Sequence, residues 1–186
     1  MRSLHHPARW VTILGLAVGS LFTVAPSPVT AVASPAASFT PIAPCRLLDT
    51  RSMAPGKLAA SQTVPVQVTG QCGIPANASA AALTVTVSAP TATGFVTVFP
   101  AGLAQPVVSS LNFYAQATVA NGAIARIGTS GIVNVFPSQS AHIIVDVAGY
   151  FSPAASSAAG RFVPITPVRA IDTRQSARPS PGATVT

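Results

Sequence analysis

The chain has 186 residues, enough for one domain with a hydrophobic core and some additional length. Hydrophobic residues make up 49% of the sequence and charged residues only 7%, a composition too apolar for an intrinsically disordered protein. The net charge of +7 reflects a scarcity of acids, three in all, and the basic residues are scattered rather than clustered, which argues against nucleic-acid binding.

Residues 1–33 have the pattern of a secretory signal peptide. Arg2 and Arg9 supply a positive start, the apolar stretch from Val11 to Val24 follows, and Ala31 to Ala33 offers a small-residue cleavage site. The alternative is an uncleaved N-terminal anchor, but the apolar stretch is short and two prolines follow it. We therefore expect an exported chain with no membrane span after cleavage, secreted or associated with the cell wall.

Cys45 and Cys72 are the only two cysteines, so only one intramolecular disulfide is possible. An oxidising compartment allows such a pair to close, and the closed loop contributes on the order of 3–4 kcal/mol in the chain-entropy model. Two free buried thiols are the alternative. Two cysteines with one distant histidine lack the ligands of a metal site, so the sequence predicts a disulfide, no metal and no cofactor.

The segment from Phe39 to Arg51 returns as the segment from Phe162 to Arg174, with a period of 162 − 39 = 123 residues. Eight of the thirteen positions are identical: Phe39/Phe162, Pro41/Pro164, Ile42/Ile165, Pro44/Pro167, Arg46/Arg169, Asp49/Asp172, Thr50/Thr173 and Arg51/Arg174. This predicts a linker at 34–38, one complete repeat unit at 39–151, a flexible Ser/Ala-rich linker at 152–161 and an incomplete second unit at 162–186.

Strand-like periodicity runs through the predicted complete unit. In the stretch from Ala80 to Ser88, apolar residues alternate with threonines, and turn residues separate it from similar stretches every 8 to 15 positions. The other predicted strands are Gly94–Phe99, Thr63–Val68, Ser109–Tyr114, Ala123–Ile127, Ile132–Phe136 and His142–Val147. The pattern predicts an all-β fold: an antiparallel β-sandwich of about seven or eight short strands, preferred over a small barrel.

These stretches resemble a repeat found in secreted proteins of actinobacteria and other soil bacteria. The resemblance covers nearly the whole unit, from the opening Phe39–Arg51 motif through Gly70–Pro75 and Leu111–Phe113 to the closing Ile143–Phe151. Such repeats occur alone, in tandem or beside exported hydrolases, so the resemblance implies no particular activity. The second copy has Val168 where the first has Cys45, so a disulfide is not common to every copy.

Catalysis requires titratable groups in a suitable arrangement, and the unit offers few. Asp49 and Asp146 are a conceivable glycosidase pair. Asp49, however, lies between Arg46 and Arg51, which predicts a structural ion network around a carboxylate that stays ionised. His142 and Asp146 fall on one strand face about 13 Å apart, too far to act together. We therefore expect a protein that is not an enzyme.

The remaining predictions concern binding. Trp10 lies in the predicted leader, and most other aromatic residues occupy strand positions typical of a core. Tyr114 is the candidate for an exposed, ligand-contacting ring. We expect a secreted or cell-surface structural, spacer or adhesive repeat whose partners are neighbouring repeat units. The alternative is a cell-wall polymer or glycan-binding module accompanying an exported hydrolase, and a hydrolase in its own right is favoured less.

Overall fold

The structure, a computed structural model, describes residues 36–153, 162–172 and 174. This part of the chain forms eight β-strands and no α-helix, which confirms the predicted fold class. The strands are β1 Ala37–Asp49, β2 Val64–Gln67, β3 Ala80–Ser88, β4 Gly94–Pro100, β5 Leu111–Phe113, β6 Val119–Arg126, β7 Ile132–Pro137 and β8 His142–Pro153. The predicted leader lies outside the described residues, as do residues 34–35 of the first predicted linker and residues 154–161 of the second. Among the described residues, no helix has the length and hydropathy needed to cross a bilayer.

The strands form two four-stranded antiparallel sheets. One has the order β1-β8-β3-β6 and the other β2-β7-β4-β5. Alternate residues of both sheets contribute to one hydrophobic core, with Val85 and Val145 from the first sheet and Val98 and Val135 from the second, all almost fully buried. The outer face of the first sheet carries the alternate residues, such as Thr84 and Asp146, which lie opposite each other in the register.

Strand β3 spans the same residues as its prediction, whereas β6 begins four residues before the predicted Ala123. The sequence between those two starts contains Asn121 and Gly122, which are typical of a turn. In the structure both residues pair with β3, Asn121 opposite Val85 and Gly122 opposite Thr84. Pairing with a long neighbouring strand has overridden the local turn preference.

Strand β1 is a strand that the alternation pattern does not predict. It contains Pro41 and Pro44, and its pairing with β8 shifts register between Pro41 and Cys45 and again between Arg46 and Leu48. Proline is tolerated in β1 because this strand lies at the edge of its sheet, where one side of the backbone needs no partner. The two register shifts set the positions of Cys45 and Arg46 relative to β8.

The folded unit extends slightly beyond residues 39–151. β1 begins at Ala37, and β8 continues to Pro153, so Ser152 and Pro153 belong to a strand rather than to a linker. The described chain resumes at Phe162, which pairs with Ala37 at the outer edge of β1. The beginning of the predicted second unit therefore lies against the first.

Candidate functional site

Three charged side chains of the opening motif meet around the end of β1. Arg46 Nη1 donates to Asp49 Oδ2 at 2.9 Å, and Arg51 donates to the same carboxylate from Nε at 2.9 Å and from Nη2 at 2.7 Å. The backbone N–H of Arg51 adds a bond of 3.1 Å to Asp49 Oδ1. In β8, Asp146 lies opposite Arg46 and accepts from its Nε at 2.8 Å and its Nη2 at 3.2 Å. We call these four residues the arginine clamp.

The carboxylate of Asp49 is the buried member of the clamp, with a side chain only 7% exposed. The Arg46 and Arg51 side chains are 47% and 49% exposed. The guanidinium groups around Asp49 are therefore not buried, because long arginine side chains reach solvent while their polar ends cover the carboxylate. The ion network has a buried anion beneath two solvated cations.

The clamp fixes the protonation state of Asp49. Hydrogen bonds from the Arg51 side chain lower the pKa of Asp49 far below its usual value of 3.8, against the opposing effect of burial, with further contributions from the Arg51 backbone N–H and the two positive charges. Hydrogen bonding to Asp146 raises the pKa of Arg46, and hydrogen bonding to Asp49 raises the pKa of Arg51. At neutral pH Asp49 is a permanent anion, suited to holding structure rather than to exchanging protons.

His142 lies on the same strand face as Asp146 but has a different partner. Its Nδ1 donates to the Thr50 carbonyl oxygen at 3.1 Å. The buried Thr50 hydroxyl in turn accepts from the Ile143 N–H at 2.9 Å. His142 therefore anchors the chain just after β1 to the start of β8, while Asp146 anchors β1 itself.

A second clamp of nearly the same geometry forms in the C-terminal segment. Arg174 donates to Asp172 from its backbone N–H at 3.1 Å, from Nε at 2.8 Å and from Nη2 at 2.7 Å, and Arg169 Nη1 donates to Asp172 Oδ2. Hydrogen bonds from the Arg174 side chain and backbone lower the pKa of Asp172 far below its usual value. The repeated sequence therefore forms the same local structure twice, although only the first clamp has a strand partner equivalent to Asp146 among the described residues.

Cys45 and Cys72 form a disulfide, with Cα atoms 6.2 Å apart and a sequence separation of 27. The bond ties β1 to the loop that follows β2. Cys45 lies next to Arg46, so the disulfide and the clamp hold neighbouring positions of the same edge strand. A shallow depression on the outer sheet face adjoins both and is lined in part by Arg46, Thr84 and Asp146.

Tyr114, the predicted ligand contact, is 76% exposed and follows directly after β5, whereas its neighbour Phe113 is buried in the core. The structure places Tyr114 in a turn, where its carbonyl accepts from the Ala117 N–H at 3.2 Å. A single exposed ring is available for stacking there. Among the described residues, no three His, Cys, Asp or Glu side chains converge in a way that could hold a metal ion.

No protein-family model, curated protein or solved structure matches this chain. The two carboxylates considered as a glycosidase pair, Asp49 and Asp146, are both bound to Arg46. A general acid must hold a proton at working pH, and the lowered pKa of Asp49 is the opposite of that requirement.

Sequence reasoning did not include Asp146 in the ion network, although it identified the other three members. Arg46 and Asp146 are 100 residues apart, and only the register of β1 on β8 brings them together. The role of Thr50 and His142 was missed for the same reason. The sole sequence signal is that the strand carrying His142 and Asp146 has polar residues on one face, which does not specify their partners.

Proposed function

We propose that the chain is an exported, non-catalytic structural module, repeated along a cell-surface polypeptide as a spacer or adhesive unit. The observation that supports this role best is the state of the carboxylates. The chain has three acidic side chains, and Asp49, Asp146 and Asp172 are each ion-paired with arginine. Groups that hydrolases use as acids, bases or nucleophiles are engaged here in holding strands and turns.

Two features support export. The predicted signal peptide at residues 1–33 directs the chain out of the cytoplasm, and the Cys45–Cys72 disulfide suits an oxidising environment. A disulfide near the edge strand stabilises a module with few charged residues against unfolding outside the cell. Both features fit a chain that functions at or beyond the cell surface.

The recurrence of the clamp supports a repeated unit. Asp172 receives the same set of bonds from Arg174 as Asp49 receives from Arg51. The second clamp makes the start of a second unit the natural interpretation of residues 162–174. A polypeptide built from such units would present similar surfaces at regular spacing.

The experiment is fractionation of a bacterium that produces the full chain, combined with alkylation of free thiols. We expect the protein in the medium or cell-wall fraction, lacking the leader, with Cys45 and Cys72 alkylated only after reduction. Cytosolic protein with freely alkylated cysteines would contradict the proposal. A chain with Ala31 and Ala33 changed to bulky residues is the matched control, because it should remain uncleaved while its sandwich is unchanged.

A second candidate, a cell-wall or glycan-binding module, is favoured by one observation, the exposure of Tyr114. Carbohydrate sites use aromatic rings as stacking platforms, and Tyr114 offers such a ring on a turn. A single ring is a weak platform, so we place this candidate second.

A further inference from the structure

The main chains of Ala37 and Phe162 pair at the outer edge of β1. The Ala37 N–H donates to the Phe162 carbonyl at 2.8 Å, and the Phe162 N–H donates to the Ala37 carbonyl at 3.2 Å. Reciprocal bonds of this kind define a hydrogen-bonded antiparallel pair. The Phe162 ring also packs on Phe151, with ring centroids 4.3 Å apart. The edge that the β1–β8 ladder leaves open thus accepts another segment of chain.

The segment that occupies this edge is the sequence counterpart of β1 itself. Phe162 aligns with Phe39, and Phe39 also packs on Phe151, with centroids 5.0 Å apart. Phe151 is therefore in contact with the opening aromatic residue of its own unit and with that of the following segment. Phe39 as a whole residue remains 49% exposed, so it retains surface for a further aromatic contact.

Hydrogen-bond directions allow a complete second unit to occupy the same place. Because the N–H and C=O of Ala37 point to Phe162, they point away from β8, and residues two apart in a strand point the same way. The β1–β8 register is continuous from Ala37 to Pro41, so the N–H and C=O of Phe39 also point to the open edge. Phe162 is the counterpart of Phe39, so in a complete second unit its N–H and C=O would also point to the open edge. It could then bond to Ala37 and leave the β1–β8 ladder of the second unit intact.

We propose that the open edge of β1 is the junction between two copies of this unit, whose β1 strands pair antiparallel with position 37 of each opposite position 39 of the other. This inference rests on the proposed role as a repeated unit and identifies the partner surface. The two copies are then related by a two-fold axis, on which position 38 of one strand faces position 38 of the other. The first sheets of both units join into one continuous sheet across the axis.

The sequence also limits the length of this junction. Pro41 has the same strand phase as Ala37 and Phe39, so its missing N–H falls on the open edge. Pairing therefore cannot continue past it, and the contact consists of a few main-chain bonds and the phenylalanine rings. A short edge of this kind admits a specific partner and resists open-ended strand addition.

The test is disulfide trapping in the full chain. Phe162→Pro removes an N–H donor and a ring, which frees the edge of β1 for another molecule. Combined with Ser38→Cys, it places two thiols across the two-fold axis in a non-hydrogen-bonded pair, where Cα atoms are about 4.5 Å apart and a disulfide can form. Thr40→Cys with Phe162→Pro is the matched control. In the proposed pairing, position 40 of one strand is offset by four residues, about 13 Å, from position 40 of the other, so the two thiols cannot meet.

In an oxidised glutathione buffer, we expect at least about tenfold more disulfide-linked dimer from the position-38 variant than from the position-40 variant. With Phe162 intact, Ser38→Cys should remain monomeric, because the chain's own segment occupies the edge. Ile165→Pro changes an exposed position of the same segment. Combined with Ser38→Cys, it should also leave the chain monomeric. Phe162→Gly provides a second way to weaken the contact if the proline variant does not fold.

No dimer at position 38, or equal linking at positions 38 and 40, would overturn the junction. Either result would leave the proposed function standing if the chain is exported and oxidised. Conversely, efficient linking at position 38 in a chain that stays in the cytosol would retain the junction and overturn the function.

Discussion

Arg46 in β1 donates two hydrogen bonds to Asp146 in β8, a residue 100 positions later in the chain, while its third nitrogen binds Asp49. One guanidinium thereby joins an edge strand to its neighbour and to a buried carboxylate. Planar, bidentate pairing of this kind is specific to arginine, since a lysine ammonium cannot bind both carboxylates with the same geometry. The register shifts interrupt the pairing of β1 with β8. The clamp holds the two strands together at that point.

Removal of the buried carboxylate should cost more stability than removal of the exposed one. Asp49→Ala leaves two guanidinium groups without their shared anion, and we expect its melting temperature to fall by several degrees. Asp146→Ala removes a partly solvated partner and should lower it less. Thermal unfolding followed by circular dichroism measures both. An unchanged melting curve for Asp49→Ala would contradict a structural role for the clamp.

Stability should depend on acid pH through Asp49. The pKa of Asp49 is lowered on folding, so its stabilising contribution is present above the unfolded value of about 3.8 and is lost as the pH falls below it toward the folded pKa. We expect the free energy of unfolding to decrease as the pH is lowered from about 4 toward the folded pKa of Asp49. Asp49→Asn should have lower stability at pH 7 and a flatter decline with acid. A parallel decline in both proteins would assign the acid sensitivity elsewhere.

The disulfide should contribute substantially to stability. It closes a loop with a sequence separation of 27, for which the chain-entropy model gives about 3–4 kcal/mol. The double variant Cys45→Ala/Cys72→Ala should unfold at a correspondingly lower denaturant concentration in urea titrations. Addition of a reducing agent should shift the unmodified protein toward the variant and leave the variant itself unchanged. A variant as stable as the oxidised chain would contradict this contribution.

Two glycines on the outer face of the first sheet should respond differently to an added methyl group. A Cβ at Gly149 would lie 2.4 Å from the Phe39 ring and 2.9 Å from the Thr40 carbonyl oxygen, which the β1–β8 pairing holds in place. We expect Gly149→Ala to cost roughly 1–3 kcal/mol. Gly122, in β6, has no heavy atom within 4 Å of an added Cβ, so Gly122→Ala is the matched control and should be neutral or slightly stabilising. Equal effects in urea titrations would show that β1 does not lie closely against β8 there.

The sequence predicts this fold where one strand pattern is uninterrupted. Leu83, Val85 and Val87 alternate with polar residues, and β3 forms over the predicted residues. The prolines of β1 conceal a strand because their tolerance depends on an edge position, which is a property of the sheet rather than of the local sequence. Strand extent at β6 was likewise determined by its partner.

The site was predictable only as far as it is local. Arg46, Asp49 and Arg51 lie within six consecutive residues, so their charges alone indicate an ion network. Asp146 joins them through a strand register, and Phe162 meets Ala37 through an open sheet edge. Neither relationship can be derived from spacing along the chain, because both depend on which strands become neighbours.

The most direct test of the central claim, a structural module without a dedicated ligand, is co-sedimentation of the full chain with isolated bacterial cell walls over a salt series. The positive net charge should give weak pelleting at low salt that disappears toward about 1 M, where charges are screened within about 3 Å. Tyr114→Ala should pellet as the unmodified chain does. Saturable pelleting that persists at high salt and is abolished by Tyr114→Ala would contradict the claim and establish a specific wall or glycan site.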